Sequence, residues 1–259
     1  MIHSELPFVT VTDTPRSTTY QGHVERVYLH ITGRQTWLNA KRVQQDPLDR
    51  LGRLLFEKPG YPAFSTYSMD PWGRARCHGG EDMRSWAQGY KRGTHKKIQD
   101  GRLLPPRWWV EAWADVDMNM GLVEREHEDL VTVASPLDLL GGQTSPNKYS
   151  VSIEFVQWGG QTRLTQAQYI NGADLVLDIC HRHDIPHNRL HVLGHEDVTP
   201  WWRDDAGGGW DPGAHRVDQR FDWETMLCLP LSNEQRAREL LARSSVYPTP
   251  KRPGWLPGP

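Results

Sequence analysis

The segment Tyr149-Ser150-Val151-Ser152-Ile153-Glu154-Phe155-Val156 most constrains what this chain can fold into. Its residues alternate strictly. Val151, Ile153 and Phe155 point one way, and Ser150, Ser152 and Glu154 the other, as in a strand with one apolar face. A helix follows it. Thr165-Gln166-Ala167-Gln168 is a capping box, and Tyr169, Val176, Ile179 and Cys180 supply apolar positions to about His181. Asp184-Ile185-Pro186 breaks that helix, and Leu190-His191-Val192-Leu193 reads as another strand. Alternating strands and helices predict an α/β domain with a mixed sheet. An acid between two small polar residues on one strand face fits an open, wet site. Alternation alone favours a merely solvent-exposed face.

The rest of the chain supports the same class. Residues 1–25 are polar and aperiodic and read as an irregular arm. Val27-Tyr28-Leu29-His30 reads as a short strand with Val27 and Leu29 on one face and Tyr28 and His30 on the other. Asp46-Pro47 starts a helix, Leu48, Leu51, Leu54 and Leu55 follow at helical spacing, and Pro59-Gly60 stops it. Residues 64–76 read as a strand pair broken near Pro71-Trp72-Gly73, and residues 90–147 as an insertion with some helix. A final helix is expected from Asn233 to Ala242. The tail, Tyr247 to Pro259, has five prolines and reads as extended or disordered. The organisation is therefore an arm (1–25), one domain (26–232) carrying the insertion, and a C-terminal helix with a proline-rich tail (233–259).

Composition excludes several roles. The 259 residues suffice for one large domain or two small ones, and a net charge of −2 gives no basic footprint for nucleic acid. Cys77, Cys180 and Cys228 lack CxxC spacing and read as free thiols. The N-terminus has neither a basic nor an apolar signal region, and no apolar run approaches the roughly 20 residues that span a bilayer. The expectation is a protein made soluble in the cytoplasm, which leaves by lysis or a dedicated machine if its substrate lies outside. Twelve tryptophans suit core packing by default, although such rings also stack on sugars.

Candidate metal ligands lie near the C-terminus. His195 ends the apolar run Val192-Leu193-Gly194, where α/β folds commonly place ligands. Asp211 lies 16 residues on (211 − 195 = 16), in a loop rich in glycine and tryptophan. A catalytic zinc takes three protein ligands and keeps one position open. His30 is a candidate for the third.

In order, Val27-Tyr28-Leu29-His30-Ile31-Thr32, Asn147-Lys148-Tyr149-Ser150-Val151-Ser152-Ile153-Glu154, Leu193-Gly194-His195-Glu196-Asp197-Val198-Thr199-Pro200, Asp211-Pro212-Gly213 and Phe221-Asp222-Trp223 form a known pattern. The chain resembles the type 2 N-acetylmuramoyl-L-alanine amidases, which share a fold with the peptidoglycan recognition proteins. Ser152 stands where the family strand has glycine. The resemblance spans roughly residues 25–225. It implies a central mixed β-sheet flanked by helices, and a zinc-dependent hydrolase that cuts the amide between N-acetylmuramic acid and L-alanine in peptidoglycan.

By that resemblance His30, His195 and Asp211 are zinc ligands and Glu154 is the general base and acid. The set suits zinc, which lowers the pKa of its bound water to about 7. Where the family often has a lysine two residues before the aspartate, this chain has Gly209, in a loop longer than usual. Arg203 is the candidate cation for the oxyanion. Tyr67, about one residue off the register of a tyrosine found near zinc in some relatives, and Trp86, in Trp86-Ala87-Gln88-Gly89, are candidate substrate-cleft residues. His181, His183, His187 and His191 form a rival cluster, but Pro186 interrupts it and the surface reading is preferred.

Three functions compete. A non-catalytic muropeptide-binding module usually lacks a zinc ligand, whereas all three candidates and Glu154 are present here. A zinc peptidase, resting on the shared use of His and acidic ligands, ranks last, since no His-Glu-x-x-His motif is present. An active amidase ranks first. Its setting is a phage lysin, a toxin delivered into a neighbour's periplasm with an immunity protein in the producer, or a cytoplasmic recycling enzyme for anhydro-muropeptides. The insertion and tail exceed a minimal recycling enzyme and favour the first two. Peptidoglycan or muropeptide is the expected partner, with no nucleic acid and no membrane.

Overall fold

Alternating side chains assign each strand residue to one of two layers, and in the computed structural model both layers of the central strands are largely buried. The structure describes residues 3–11, 22–32, 46–51, 65–87, 97, 100–114, 116–117, 120–121, 146–157, 163–205, 208–209, 211–213, 221–244 and 246–256. The strands are β1 (Val9–Val11), β2 (Arg26–Ile31), β3 (Tyr67–Met69), β4 (Ala75–Cys77), β5 (Ser150–Phe155) and β6 (Val192–Gly194), with a small pair, β7 (Asp204–Asp205) and β8 (Gly208–Gly209). The helices are α1 (Pro47–Leu51), α2 (Arg107–Ala114), α3 (Gln166–Arg182), α4 (His195–Val198), α5 (Trp223–Cys228) and α6 (Glu234–Arg243). β1 to β6 form one mixed sheet in the order β1-β4-β3-β5-β2-β6. Only β3 and β4 pair antiparallel in it.

On one face, Leu29, Ile153, Phe155 and Met69 pack with Val176 and Ile179 of α3 and Met226 of α5. Each such side chain contributes about 1.5–3 kcal/mol on full burial. The capping box at Thr165 fixes where α3 starts, and Gly172 lets it approach: a Cβ there would lie 2.8 Å from the Phe155 ring. Asp222 caps α5 by accepting from the Thr225 amide at 3.0 Å. On the other face Tyr28, Leu193 and Val198 pack with Trp109 and Trp113 of α2. The helical part of the insertion therefore covers the second face of the sheet. The alternative of a solvent-exposed Ser150/Ser152 face is overturned, since both serines are buried.

Three expectations need correction, and for the tail the structure decides between the two expected states. The arm is not wholly irregular, because Val9–Val11 pairs parallel with β4. The sixth strand is shorter and later than Leu190–Leu193: the Asn188 side chain accepts from the amides of Leu190 and His191 and holds them in a turn. The tail is extended but docked, with the Tyr247 amide donating to the Leu164 carbonyl at 2.8 Å and Leu256 buried. In the histidine cluster His187 is buried and His183 reaches Glu81 at 2.6 Å, so the surface reading holds for His181 and not for those two. Leu54, Leu55, the Pro59-Gly60 stop and most of residues 90–147 lie outside the described residues. No helix among the described residues is long and apolar enough to cross a membrane.

Candidate metal centre

Three neighbouring strands and one loop build the site. His30 lies near the C-terminal end of β2, and Glu154 of β5 is its register partner. Parallel partners share a face, and the strands lie about 4.8 Å apart, so the two side chains are lateral neighbours. On the other side of β2, Leu29 pairs with Gly194, which delivers His195 at the first residue of α4. Asp211 comes from the loop after β8. The Ile31 amide donates to its Oδ1 at 2.8 Å, and the Glu196 amide donates to its carbonyl at 2.8 Å. Its φ of 79° lies in the left-handed region, which Asp tolerates better than most residues.

The donor atoms converge. His30 Nδ1 lies 3.1 Å from His195 Nδ1 and 3.5 Å from Asp211 Oδ2, and His195 Nδ1 lies 3.0 Å from Asp211 Oδ2. Tetrahedral zinc with bonds of about 2.0–2.1 Å needs its ligand atoms about 3.3 Å apart. The triangle fits that size, and two imidazoles with one carboxylate fit zinc chemistry. All three residues are buried, and among the described residues this is the group of His, Cys, Asp and Glu that could hold a metal ion.

Charges in the site shape one another. Burial disfavours a charged His30 ring, but the Asp211 carboxylate outweighs it and holds His30 above its ordinary value. Burial and the Arg203 charge push His195 down to about 3, so its ring is neutral at pH 7. Asp211 stays well below the ordinary carboxylate range despite burial, because both histidines favour its charged form. Burial, reinforced by the charge of Asp211, pushes Glu154 up to about 7. A carboxylate near 7 is suited to exchanging protons at neutral pH.

Arg203 reaches the same atoms. Its Nε donates to Asp211 Oδ2 at 3.0 Å, and Nη2 lies 2.8 Å from His195 Nδ1. In the long loop where the expected lysine is replaced, β7 pairs with β8 and sets Gly209 opposite Asp204. Tyr67 is a correction. Alternation along β3 turns it away from Glu154 into the core, where it is fully buried and donates to Glu81. Trp86 is 37% exposed and carries the Arg84 guanidinium 4.0 Å over its ring. Gln88 lies outside the described residues. Sequence reasoning missed Ser65, whose hydroxyl donates to Glu154 Oε2 at 3.3 Å. Its only signal was a hydroxyl-rich Ser65-Thr66 just before a strand, and register alone puts it beside β5.

By sequence, the N-acetylmuramoyl-L-alanine amidase family model, Amidase_2, matches residues 20–214. The chain belongs to that family. The match takes in all three metal-ligand candidates, Glu154 and Arg203 of this amidase-family chain. Among solved structures, a selenomethionine derivative of AmpD is similar with a TM-score of 0.46 and 14% identity, over 93% of this chain and 99% of that one. The endolysin N-acetylmuramoyl-L-alanine amidase LysCS from Clostridium intestinale URNW is similar with a TM-score of 0.36 and 10% identity, over 76% and 86% of the two chains. No curated protein matches the sequence.

Proposed function

We propose that the protein is a zinc-dependent N-acetylmuramoyl-L-alanine amidase, which hydrolyses the amide between the lactyl group of N-acetylmuramic acid and L-alanine. The observation that carries this is the convergence of His30, His195 and Asp211 donors at zinc spacing, with Glu154 in register beside His30. His30 Nδ1, His195 Nδ1 and Asp211 Oδ2 would hold the ion. When bound, zinc supplies Lewis-acid chemistry, acidifying water and polarising a carbonyl.

The protein's own groups do the rest. Glu154 accepts a proton as water attacks the lactyl carbonyl carbon. It then gives a proton to the alanine nitrogen, so the C–N bond breaks with a neutral amine leaving and a lactyl acid forming. The oxyanion that develops between those steps calls for a fixed cation. Arg203 would be that cation, since its guanidinium already reaches the His195 Nδ1 and Asp211 Oδ2 atoms around which the oxyanion would form. The Ile31 amide holds Asp211 in one orientation throughout. The substrate is peptidoglycan of the cell wall, reached after release or delivery from the producing cell, and a delivered toxin would call for an immunity protein.

The test is Glu154→Gln. Metal analysis should find zinc retained, and mass spectrometry of digested muropeptides should find turnover down about 100- to 10,000-fold. Unchanged turnover would remove Glu154 from the mechanism. Digestion of intact sacculi supports the wall-lytic setting. Activity confined to soluble anhydro-muropeptides would make the protein a recycling enzyme.

A further inference from the structure

The two oxygens of Glu154 have different surroundings. Oε2 accepts from Ser65 Oγ at 3.3 Å. Oε1 receives no hydrogen bond among the described residues, and it is not a buried orphan either. Glu154 itself is half-buried on a face whose other strand residues are closed off. One oxygen is thus tethered from behind, and the other is left to the open side of the site.

The tether is rigid. Ser65 is 1% exposed, so water does not compete for its hydroxyl. The next residue is locked to β5 in both directions: the Thr66 amide donates to Ser152 Oγ at 3.2 Å, and the Ser152 amide donates to Thr66 Oγ1 at 3.4 Å. The Thr66 carbonyl also accepts from the His78 amide at 2.8 Å. β5 and the residue that follows β4 therefore hold this segment, and Ser65 inherits its place from them. A carboxylate is free to turn about its last torsion, which is broad. A single hydrogen bond to one oxygen removes that freedom and aims the other.

We propose that Ser65 is a positioning residue of the amidase reaction: its hydroxyl tethers Glu154 by Oε2 and leaves Oε1 to exchange the proton with water and the departing amine. The proposal rests on the zinc-amidase reading for the reaction, and on geometry alone for the tether. Ser65 itself touches no reacting atom. A misaimed proton acceptor costs rate without costing substrate affinity, because alignment matters most in the transition state.

The experiment compares wild type, Ser65→Ala and Ser65→Thr as zinc-loaded full-length proteins, with two readouts. The first follows the Glu154 carboxyl carbon by NMR during a pH titration, its resonance assigned by its loss in Glu154→Gln. His30, Asp211 and Arg203 also act on this carboxylate, and they are common to all three proteins. A hydroxyl that donates to the charged form favours it. Its loss in Ser65→Ala should raise the Glu154 midpoint by about half a unit to one unit, and Ser65→Thr should restore it. The second readout is muropeptide cleavage: kcat should fall about tenfold in Ser65→Ala with KM unchanged, and recover in Ser65→Thr. Ser65→Cys, near in size and a weak donor, replaces the alanine variant if that fails to fold. A Glu154 resonance that ignores the loss of the hydroxyl overturns the tether, whatever the activity. A wild type that leaves the lactyl–alanine amide intact overturns the amidase reading and with it the role in catalysis, while the NMR arm still judges the contact.

Discussion

Gly194 shows how one residue sets the spacing of the candidate metal centre. Its φ of −88° suits any residue, so conformational freedom is not what glycine provides here. Space is: a Cβ would lie 2.4 Å from Cδ of Pro212. Gly194 precedes His195, and Pro212 follows Asp211, so the bare glycine lets the two ligand segments touch. Gly194→Ala should force them apart, lengthening the 3.0 Å between His195 Nδ1 and Asp211 Oδ2. We expect zinc affinity to fall at least tenfold, read by competition with a chelator, while circular dichroism stays native. Wild-type affinity in that variant would show that the contact relaxes elsewhere. Such a role is invisible in sequence, because nothing local links position 194 to position 212.

At the scale of elements, the strands with strict alternation and the helix with a capping box were legible beforehand. β5 and α3 follow their patterns because their determinants are adjacent in the chain. Elements that depend on distant partners were not. β1 has only three residues, two of them exposed, and exists through its pairing with β4. α2 was expected only as some helix in an insertion, yet Trp109 and Trp113 are both buried against Tyr28 and Leu193. Trp109 Nε1 also donates to the Asp197 carbonyl at 2.9 Å, at the end of the turn that carries His195. Trp109→Ala should therefore cost about 3–5 kcal/mol of stability, measured by denaturant unfolding, and lower zinc affinity as well. A loss below about 1 kcal/mol would mean that α2 is a dispensable cover.

At the scale of the whole molecule, Glu81 joins pieces far apart in the chain. It is fully buried. It accepts from the Tyr67 hydroxyl of β3 and from Arg182 at the end of α3, with Nη2 2.7 Å from Oε1, and it meets His183 at 2.6 Å. The Tyr67 oxygen in turn accepts from the Ser4 amide at 2.8 Å, which ties down the N-terminal segment. Burial opposes a charged Glu81, but its bonds to His183 and Arg182 outweigh that and hold its pKa below the ordinary 4.5. The unfolded chain therefore takes up this proton first as pH falls. The stabilisation is complete above 4.5 and is lost as pH drops through the lower folded value. Thermal unfolding should show Tm falling below pH 4.5, and Glu81→Gln should flatten that limb while lowering stability at pH 7 by about 1–3 kcal/mol. An acid limb of undiminished slope in the variant would assign it to other carboxylates.

Alternation, capping and the ordered motifs by themselves determined the α/β class, the strands that carry His30 and Glu154, and the family. These signals are local, and each is written within about ten residues of chain. Tertiary structure alone decided that Tyr67 faces the core while Ser65 reaches Glu154, that α2 closes the second face, and that the tail docks at the start of α3. It also decided the size of the donor triangle, because register between β2 and β6 and the contact of Gly194 with Pro212 fix it together. Those outcomes depend on which distant segments meet, and burial energy selects among such meetings only once the whole sheet has formed.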